Sequence, residues 1–309
     1  NFSKRLSLNG FKRQRQTDAS LIRIYFRYIC VQNRSMYTEY QPSHLLVPYI
    51  DSYWEFKGNP DYGMRIHILP DGCTDFIFTL GEVANAVEEG SLIMQPYRSY
   101  FVGPMTKYSE LVTYTESIHM FGVRFLPCGL SCFTNLPLHE FVNSRVSTNE
   151  MKAVFDDTFI EKLGEQKHVT DRIRVVEEYL LAYLARHYQP ADSHVAMAVN
   201  MINHSKGKRS VRSLMDDVCL CQRHFERKFK HYTGFTPKEY SRIVKFKNAV
   251  ELLRTTTSAN LLTTAVDAGY YDLAHFSKEI KSMSGNTPAS FLSLTVPEET
   301  TLTYIEPQR

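Results

Sequence analysis

Residues 224–240 read HFERKFKHYTGFTPKEY, and residues 275–291 read HFSKEIKSMSGNTPASF. Aligned without gaps, the two stretches share His224/His275, Phe225/Phe276, Lys230/Lys281, Gly234/Gly285, Thr236/Thr287 and Pro237/Pro288, and aromatic Tyr240 and Phe291 close them. Six identities at one fixed offset mark a supersecondary unit used twice.

Working outward from the first copy, VRSLMDDVCLCQR precedes His224, and Val211, Leu214, Met215 and Val218 recur at three- and four-residue steps as one face of a short helix. A tight turn at Cys219 and Leu220 leads to a second helix from Gln222 to His231. It places Phe225 and Phe229 inward and Arg223, Glu226, Arg227 and Lys230 outward, a helix-turn-helix pattern. In the second copy Leu262, Ala265, Val266 and Ala268 make the first helix, Gly269 supplies the turn, and Asp272 caps a helix with Phe276 and Ile280 inward. Each Gly-x-Thr-Pro then ends one helix and starts another. The helix from Pro237 to about Leu253 is a connector leading into the second copy.

The region 194–293 resembles the DNA-binding domain of the AraC/XylS family of bacterial transcription regulators. The resemblance rests on Leu214, Phe225, Arg227, Phe229, Gly234, Pro237, Lys245, Ala249, Leu252, Leu253, Ala265, Gly269, Tyr270, Asp272, Phe276, Gly285 and Pro288. It implies an all-α domain of two helix-turn-helix units joined by a long helix. Four positions depart from that pattern. Met215 replaces a small alanine, Cys221 replaces a hydroxylated N-cap, and Glu279-Ile280 replaces a basic-aromatic pair.

Two recognition helices about one DNA turn apart, ~34 Å, meet successive major-groove segments. The resemblance implies that Arg223, Glu226 and Arg227 face bases from the first helix, where Arg227 suits guanine O6/N7 and Glu226 suits cytosine N4, and Gln222 is a further DNA-binding candidate of that helix. The second helix offers Leu273, Ala274, Ser277 and Lys278, residues better suited to thymine methyls. Lys208, Lys228, Lys230, Lys278 and Lys281 are expected on phosphates. His224 and His275 read as satisfied histidines beside core phenylalanines, or as phosphate contacts, rather than metal ligands.

Charge is segregated. Residues 194–293 hold 15 Lys/Arg and 8 Asp/Glu, net +7, whereas residues 36–193 hold 12 and 21, net −9. Contact with phosphates requires this excess on the repeat half. The six cysteines, at 30, 73, 128, 132, 219 and 221, have neither C-x-x-C nor zinc-finger spacing, which fits a reducing cytoplasm. No stretch approaches the ~20 apolar residues of a membrane helix. Residues 1–35 carry eight Lys/Arg and one Asp, and read as a basic arm or as an upstream extension of a chain starting at Met36. The second reading is preferred, and 21–32 still offers an edge strand.

Residues 36–188 read as a second domain. YIDSYWEF, MRIHILP, TDFIFTL, SLIM, SYFVG, ELVTYT and SIHMFGVRFL are strand-like runs between turn formers, so a small β-barrel or sandwich is expected. Helices follow at CGLSCF, near Glu150–Leu163, and along TDRIRVVEEYLLAYLARHY, which serves either as core cover or as a dimer or docking helix. Residues 189–193 form a linker, and 294–309 a C-terminal tail. The overall class is α+β. The run Leu69-Pro70-Asp71-Gly72-Cys73, with Pro48-Tyr49, Tyr53-Trp54, Gly103-Pro104 and Gly122-Val123-Arg124-Phe125-x-Pro127, resembles an uncharacterised, cupin-like sensor domain found ahead of such repeats. Trp54, His67, Phe76, Phe78, Phe101, His119, Phe121 and Arg124 are the candidate effector-pocket residues, with core as the competing role for each aromatic.

No H-x-H pair, G-x-S-x-G, P-loop or dinucleotide glycine run points to catalysis, a metal or a cofactor. The expectation is a transcription regulator, an activator on family resemblance. Its partners would be promoter DNA, a small-molecule effector, a second copy and RNA polymerase. The alternatives are a DNA-targeted alkylation or redox sensor and a constitutive DNA binder with a ligandless assembly domain.

Overall fold

The structure is a computed structural model that describes residues 36–292, apart from 89, 152, 153, 156, 188, 219 and 256–259, together with a strand at 303–305. The basic segment 1–35 and most of the tail lie outside the described residues. The N-terminal half is built on two antiparallel sheets. The larger has the order β1 (Tyr37–Tyr40), β2 (Ile50–Gly58), β8 (Ile118–Phe125), β4 (Thr74–Thr79), β6 (Ser99–Val102) and β9 (Arg145–Ser147). The smaller runs β10 (Thr303–Ile305), β3 (Met64–Ile68), β7 (Ser109–Thr113) and β5 (Asn85–Ala86). The sheets do not close on each other, so of the two expected architectures it is the sandwich that forms.

Strand alternation gives the larger sheet two buried faces. Phe76 opposes Phe101 and Val123, and Phe78 opposes Phe121, so all four phenylalanines point to one side. That side packs on helices α1 (Asp157–Gly164) and α2 (Val169–His187). Phe78, for example, meets Phe155 and Phe159 at ring-centroid distances of 5.3 and 5.7 Å. Val176 and Leu180 of α2 are buried here, so that helix covers its own domain. Arg172 fixes it, with Nη1 donating to Glu55 Oε1 at 2.9 Å and Nε to the Leu163 carbonyl at 3.2 Å. The opposite side faces the smaller sheet across a core containing Trp54, Phe56, Ile66, Ile77, Leu111 and Met120.

SLIM (91–94) forms no strand. The short strands β1, β5, β9 and β10 are additions to the expected set. CGLSCF yields one 3-10 turn at Leu130–Cys132. The helix expected near Glu150–Leu163 resolves into a 3-10 turn at Thr148–Glu150 and α1.

The C-terminal half is helical: α3 (Ser193–His204), α4 (Val211–Val218), α5 (Gln222–Thr233), α6 (Pro237–Thr255), α7 (Leu261–Asp267), α8 (Leu273–Ser284) and α9 (Pro288–Leu292). Its caps are local chemistry. Thr236 Oγ1 accepts from the Glu239 amide at 3.2 Å while Glu239 Oε2 accepts from the Thr236 amide at 2.7 Å, a reciprocal capping box. Asp272 accepts from the His275 amide at 2.7 Å, whereas Cys221, at the equivalent start of α5, supplies no side-chain cap. The connector α6 binds the second unit through Arg242 Nε to Glu279 Oε1, 2.7 Å, which accounts for an acidic residue at 279. Lys245 Nζ donates to the Gly269 carbonyl at 3.2 Å in the turn between α7 and α8. Leu262 and Val266 are 51 % and 58 % exposed; α7 instead buries Thr264 and Ala265.

Candidate nucleic-acid interface and inter-sheet cavity

The two recognition helices, α5 and α8, have 12 residues each and end on Gly234 and Gly285 in the left-handed conformation, at φ 82° and 75°. Both glycines also press on the N-terminal half. A Cβ at Gly234 would lie 2.5 Å from Pro104 Cγ, and one at Gly285 would lie 2.7 Å from Tyr108 Cζ. The same position of the duplicated unit is therefore docked twice on one body. Each helix is about 18 Å long, and its opposite end, where a recognition helix meets base edges, is open. Gln222, Arg223 and Arg227 are exposed, as are Leu273, Ala274 and Lys278. Neither arginine is tucked beneath the N-terminal half.

Among the expected base-facing residues, Glu226 accepts from Gln222 Nε2 at 2.9 Å, and Arg227 Nη2 lies 3.1 Å from His224 Nδ1. Ser277 is half-buried, and Lys208, Lys230 and Lys281 are exposed. Lys228 differs from the expectation of a free phosphate ligand. Its Nζ donates to Asp192 Oδ2 at 2.6 Å, and Asp192 also caps α3. Reaching DNA would require it to leave that carboxylate.

The connector α6 meets the N-terminal half at the turn Leu69–Cys73. Lys247, 5 % exposed, donates Nζ to the Asp71 carbonyl at 2.9 Å, and Gly72, at φ +86°, leaves room for the Tyr240 ring, 2.8 Å from where a Cβ would sit. Leu69 packs into the hydrophobic core of the C-terminal half. Burial pushes the Lys247 ammonium pKa down, while neighbouring Cys73, Asp71 and Asp51 oppose that.

The other side of the same turn faces a cavity between the sheets. It is lined by Trp54, Phe56, Ile66, Ile68, Ile77, Leu111 and Met120, with Asp71, Cys73, Asp75, Arg124 and Arg145 as its polar residues. It is a narrow cavity of about 70 Å³ that opens to solvent at its mouth. Gly122 makes it possible, since a Cβ there would lie 2.0 Å from Trp54 Cε2. The indole Nε1 donates to Asp75 Oδ1 at 2.7 Å, and Arg124 Nε lies 3.2 Å from the same oxygen. Arg124 also faces Glu39 at 3.4 Å and Asp71 at 3.6 Å. Burial pushes the Asp75 carboxyl up despite Arg124.

Of the eight expected pocket residues, Trp54 and Arg124 line this cavity. Phe76, Phe78, Phe101 and Phe121 do not, because alternation turns them to the helix side. His119 is on that side too, its Nε2 3.0 Å from Glu55 Oε1. Burial disfavours the Glu55 charge, but His119 and Arg172 together hold its carboxyl below the usual range. His67 points away from the cavity and stacks on Tyr108 at 5.9 Å. Tyr37, Glu39, Asp71, Asp75 and Arg145 are cavity or near-cavity residues that sequence reasoning missed. The available signal was Asp75 and Ile77 interleaved with Phe76 and Phe78.

The buried cysteines are poor nucleophiles: burial drives the Cys73 and Cys128 thiols well above their ordinary range. Among the described residues no group of three or more His, Cys, Asp or Glu is placed to hold a metal ion. No described helix is long and apolar enough to cross a membrane.

Two helix-turn-helix units on a rigid connector, open at their recognition ends, define a DNA-binding protein. Residues 214–293 match a family described as a helix-turn-helix domain, and residues 38–147 match a domain of unknown function. Residues 214–293 therefore carry an AraC-type helix-turn-helix domain, the DNA-binding domain of transcription regulators. No curated protein matches it. Among solved structures it is similar to ToxT from Vibrio cholerae, at 9% identity over 78% of this chain and 97% of that one, TM-score 0.46. An unsaturated fatty acid bound ToxT from strain SCE256 is similar at 10% identity over 85% and 97%, TM-score 0.43. The xylose-binding transcription activator xylR is similar at 18% identity over 40% and 38%, TM-score 0.30.

Proposed function

We propose that this regulator reads two successive major-groove segments, with Gln222, Arg223, Glu226 and Arg227 discriminating bases more strongly than Leu273, Ala274 and Ser277. Lys208, Lys230, Lys278 and Lys281 hold phosphates. The N-terminal sandwich binds an effector in its inter-sheet cavity, and the protein acts in the cytoplasm as a homodimeric activator that engages RNA polymerase. The observation carrying this reading is the paired docking of Gly234 and Gly285, which leaves both recognition ends facing outward from one body.

The test is binding to DNA from upstream of the protein's own gene and to random DNA of equal length, titrated with salt. Arg227→Ala should cost about 1–3 kcal/mol on the specific site and relax preference at one base pair. Lys230→Ala should weaken both DNAs alike and reduce the salt slope by about 1. Equal affinity for the two DNAs, or a flat salt response, would refute the reading.

A further inference from the structure

Register places a row of side chains on one face of the larger sheet. Arg145 opposes Val102, Val102 opposes Asp75, and Asp75 opposes Arg124, so all four face the cavity. The two arginines of this row are treated differently. Arg124 faces three carboxylates within 4 Å, at Glu39, Asp71 and Asp75. Arg145 faces none within that distance among the described residues. Its Nη2 donates across the gap to Ser109 Oγ at 2.9 Å, a neutral hydroxyl on the facing sheet. Asp75 is spent on Trp54 and Arg124, and Glu88 is paired with Lys107 at 2.8 Å. Burial pushes the Arg145 guanidinium pKa down, partly offset at a distance by Glu88 and Asp75.

Arg145 also stands at a junction. It lines the apolar cavity, and it lines an adjoining polar recess that contains Lys107, Tyr108, Asn143 and Ser144. A half-buried guanidinium with no carboxylate within 4 Å among the described residues is suited to a planar anion, which it binds through charge-assisted, bidentate hydrogen bonds. On the inner side Ile66 and Leu111 carry no polar side-chain atom, and the Trp54 indole N–H is already taken by Asp75.

We propose that Arg145 is the anchor for a monoanionic amphiphile: its carboxylate-like head lies on Arg145 at the edge of the recess, and its apolar body fills the space beside Trp54. This rests on reading the sandwich as the effector domain, and names the chemistry of that effector. Membrane lipid is not the source, because the body of the ligand is enclosed between two sheets.

Trp54 is the only tryptophan of the chain and lines the cavity, so its emission reports occupancy. The full-length protein is titrated with phenylbutyrate, phenylbutanol and phenylbutylamine, which share one body and differ in head-group charge. The acid should bind at least about tenfold more tightly than the alcohol, and the amine more weakly than either. In Arg145→Gln the acid–alcohol gap should fall to about threefold or less with the alcohol unchanged, the latter showing an intact cavity; Arg145→Lys should recover part of the gap. Parity of acid and alcohol in the natural protein, or a full gap in Arg145→Gln, would overturn the proposal while leaving the cavity as an effector site. No response of Trp54 to any of the three would overturn it together with the effector reading. DNA affinity is measured separately and stands or falls on its own.

Discussion

Asp51, at the start of β2, provides a quantitative test of the charge cluster beneath the connector. Its carboxyl pKa is pushed up from 3.8 to about 6, chiefly by burial, with Arg124 and Lys247 pulling the other way and Glu39 and Asp71 adding to the rise. A folded-state value above the unfolded one means the native state holds the proton more tightly. The stability this contributes is complete below about pH 3.8 and is lost as pH rises through about 6. At 1.36 kcal/mol per unit, the ionised form costs the fold about 3 kcal/mol at pH 8 and about 1 kcal/mol at pH 4.5. Asp51→Asn removes the titration and keeps the shape. Its stability relative to the natural protein should therefore rise by about 2 kcal/mol between pH 4.5 and pH 8, whatever constant offset the lost counter-charge to Arg124 and Lys247 introduces. Urea unfolding followed by Trp54 fluorescence measures this in the domain concerned. A mutant effect that is independent of pH, or that grows towards acid, would show that Asp51 is not held in the desolvated site described.

Two glycines supply further predictions. Gly122→Ala places a methyl 2.0 Å from the Trp54 ring, so the indole must leave Asp75; a shifted emission spectrum and a loss of about 1–3 kcal/mol are expected, and an unchanged spectrum would contradict the packing. Gly72→Ala combines a φ of +86° with a 2.8 Å contact to Tyr240. The turn should tolerate the strain at about 1 kcal/mol, while docking of α6 weakens, so protease cleavage between α2 and α3 should accelerate. An unaltered cleavage rate would argue against that contact.

The helical half was legible because its punctuation is local. Gly234, Gly285, Thr236-Pro237 and Asp272 each act within one turn of chain, and the expected helices lie where those residues put them. What the sequence hid there depends on distant partners: Lys228 meets Asp192, and Glu279 meets Arg242. In the sandwich, strand identity was readable but facing was not. A sheet covered by helices on one side and by another sheet on the other has no polar side to mark it, so the phenylalanine face of TDFIFTL was mistaken for the cavity face. Arg145 sits in a three-residue edge strand within a polar stretch, and nothing local distinguishes it from a loop arginine. Its neighbours are set by register alone.

The turn at Leu69–Cys73 is a party wall: Asp71 offers its carboxylate to the chamber on one side and its carbonyl to Lys247 on the other. Any occupant that favours one placement of this wall will alter the seating of the helix that spaces the two reading heads. Thermodynamic linkage makes the traffic two-way and equal in free energy. Operator DNA that reseats the helix must then change the occupant's affinity by the same factor, so each molecule can be detected by titrating the other.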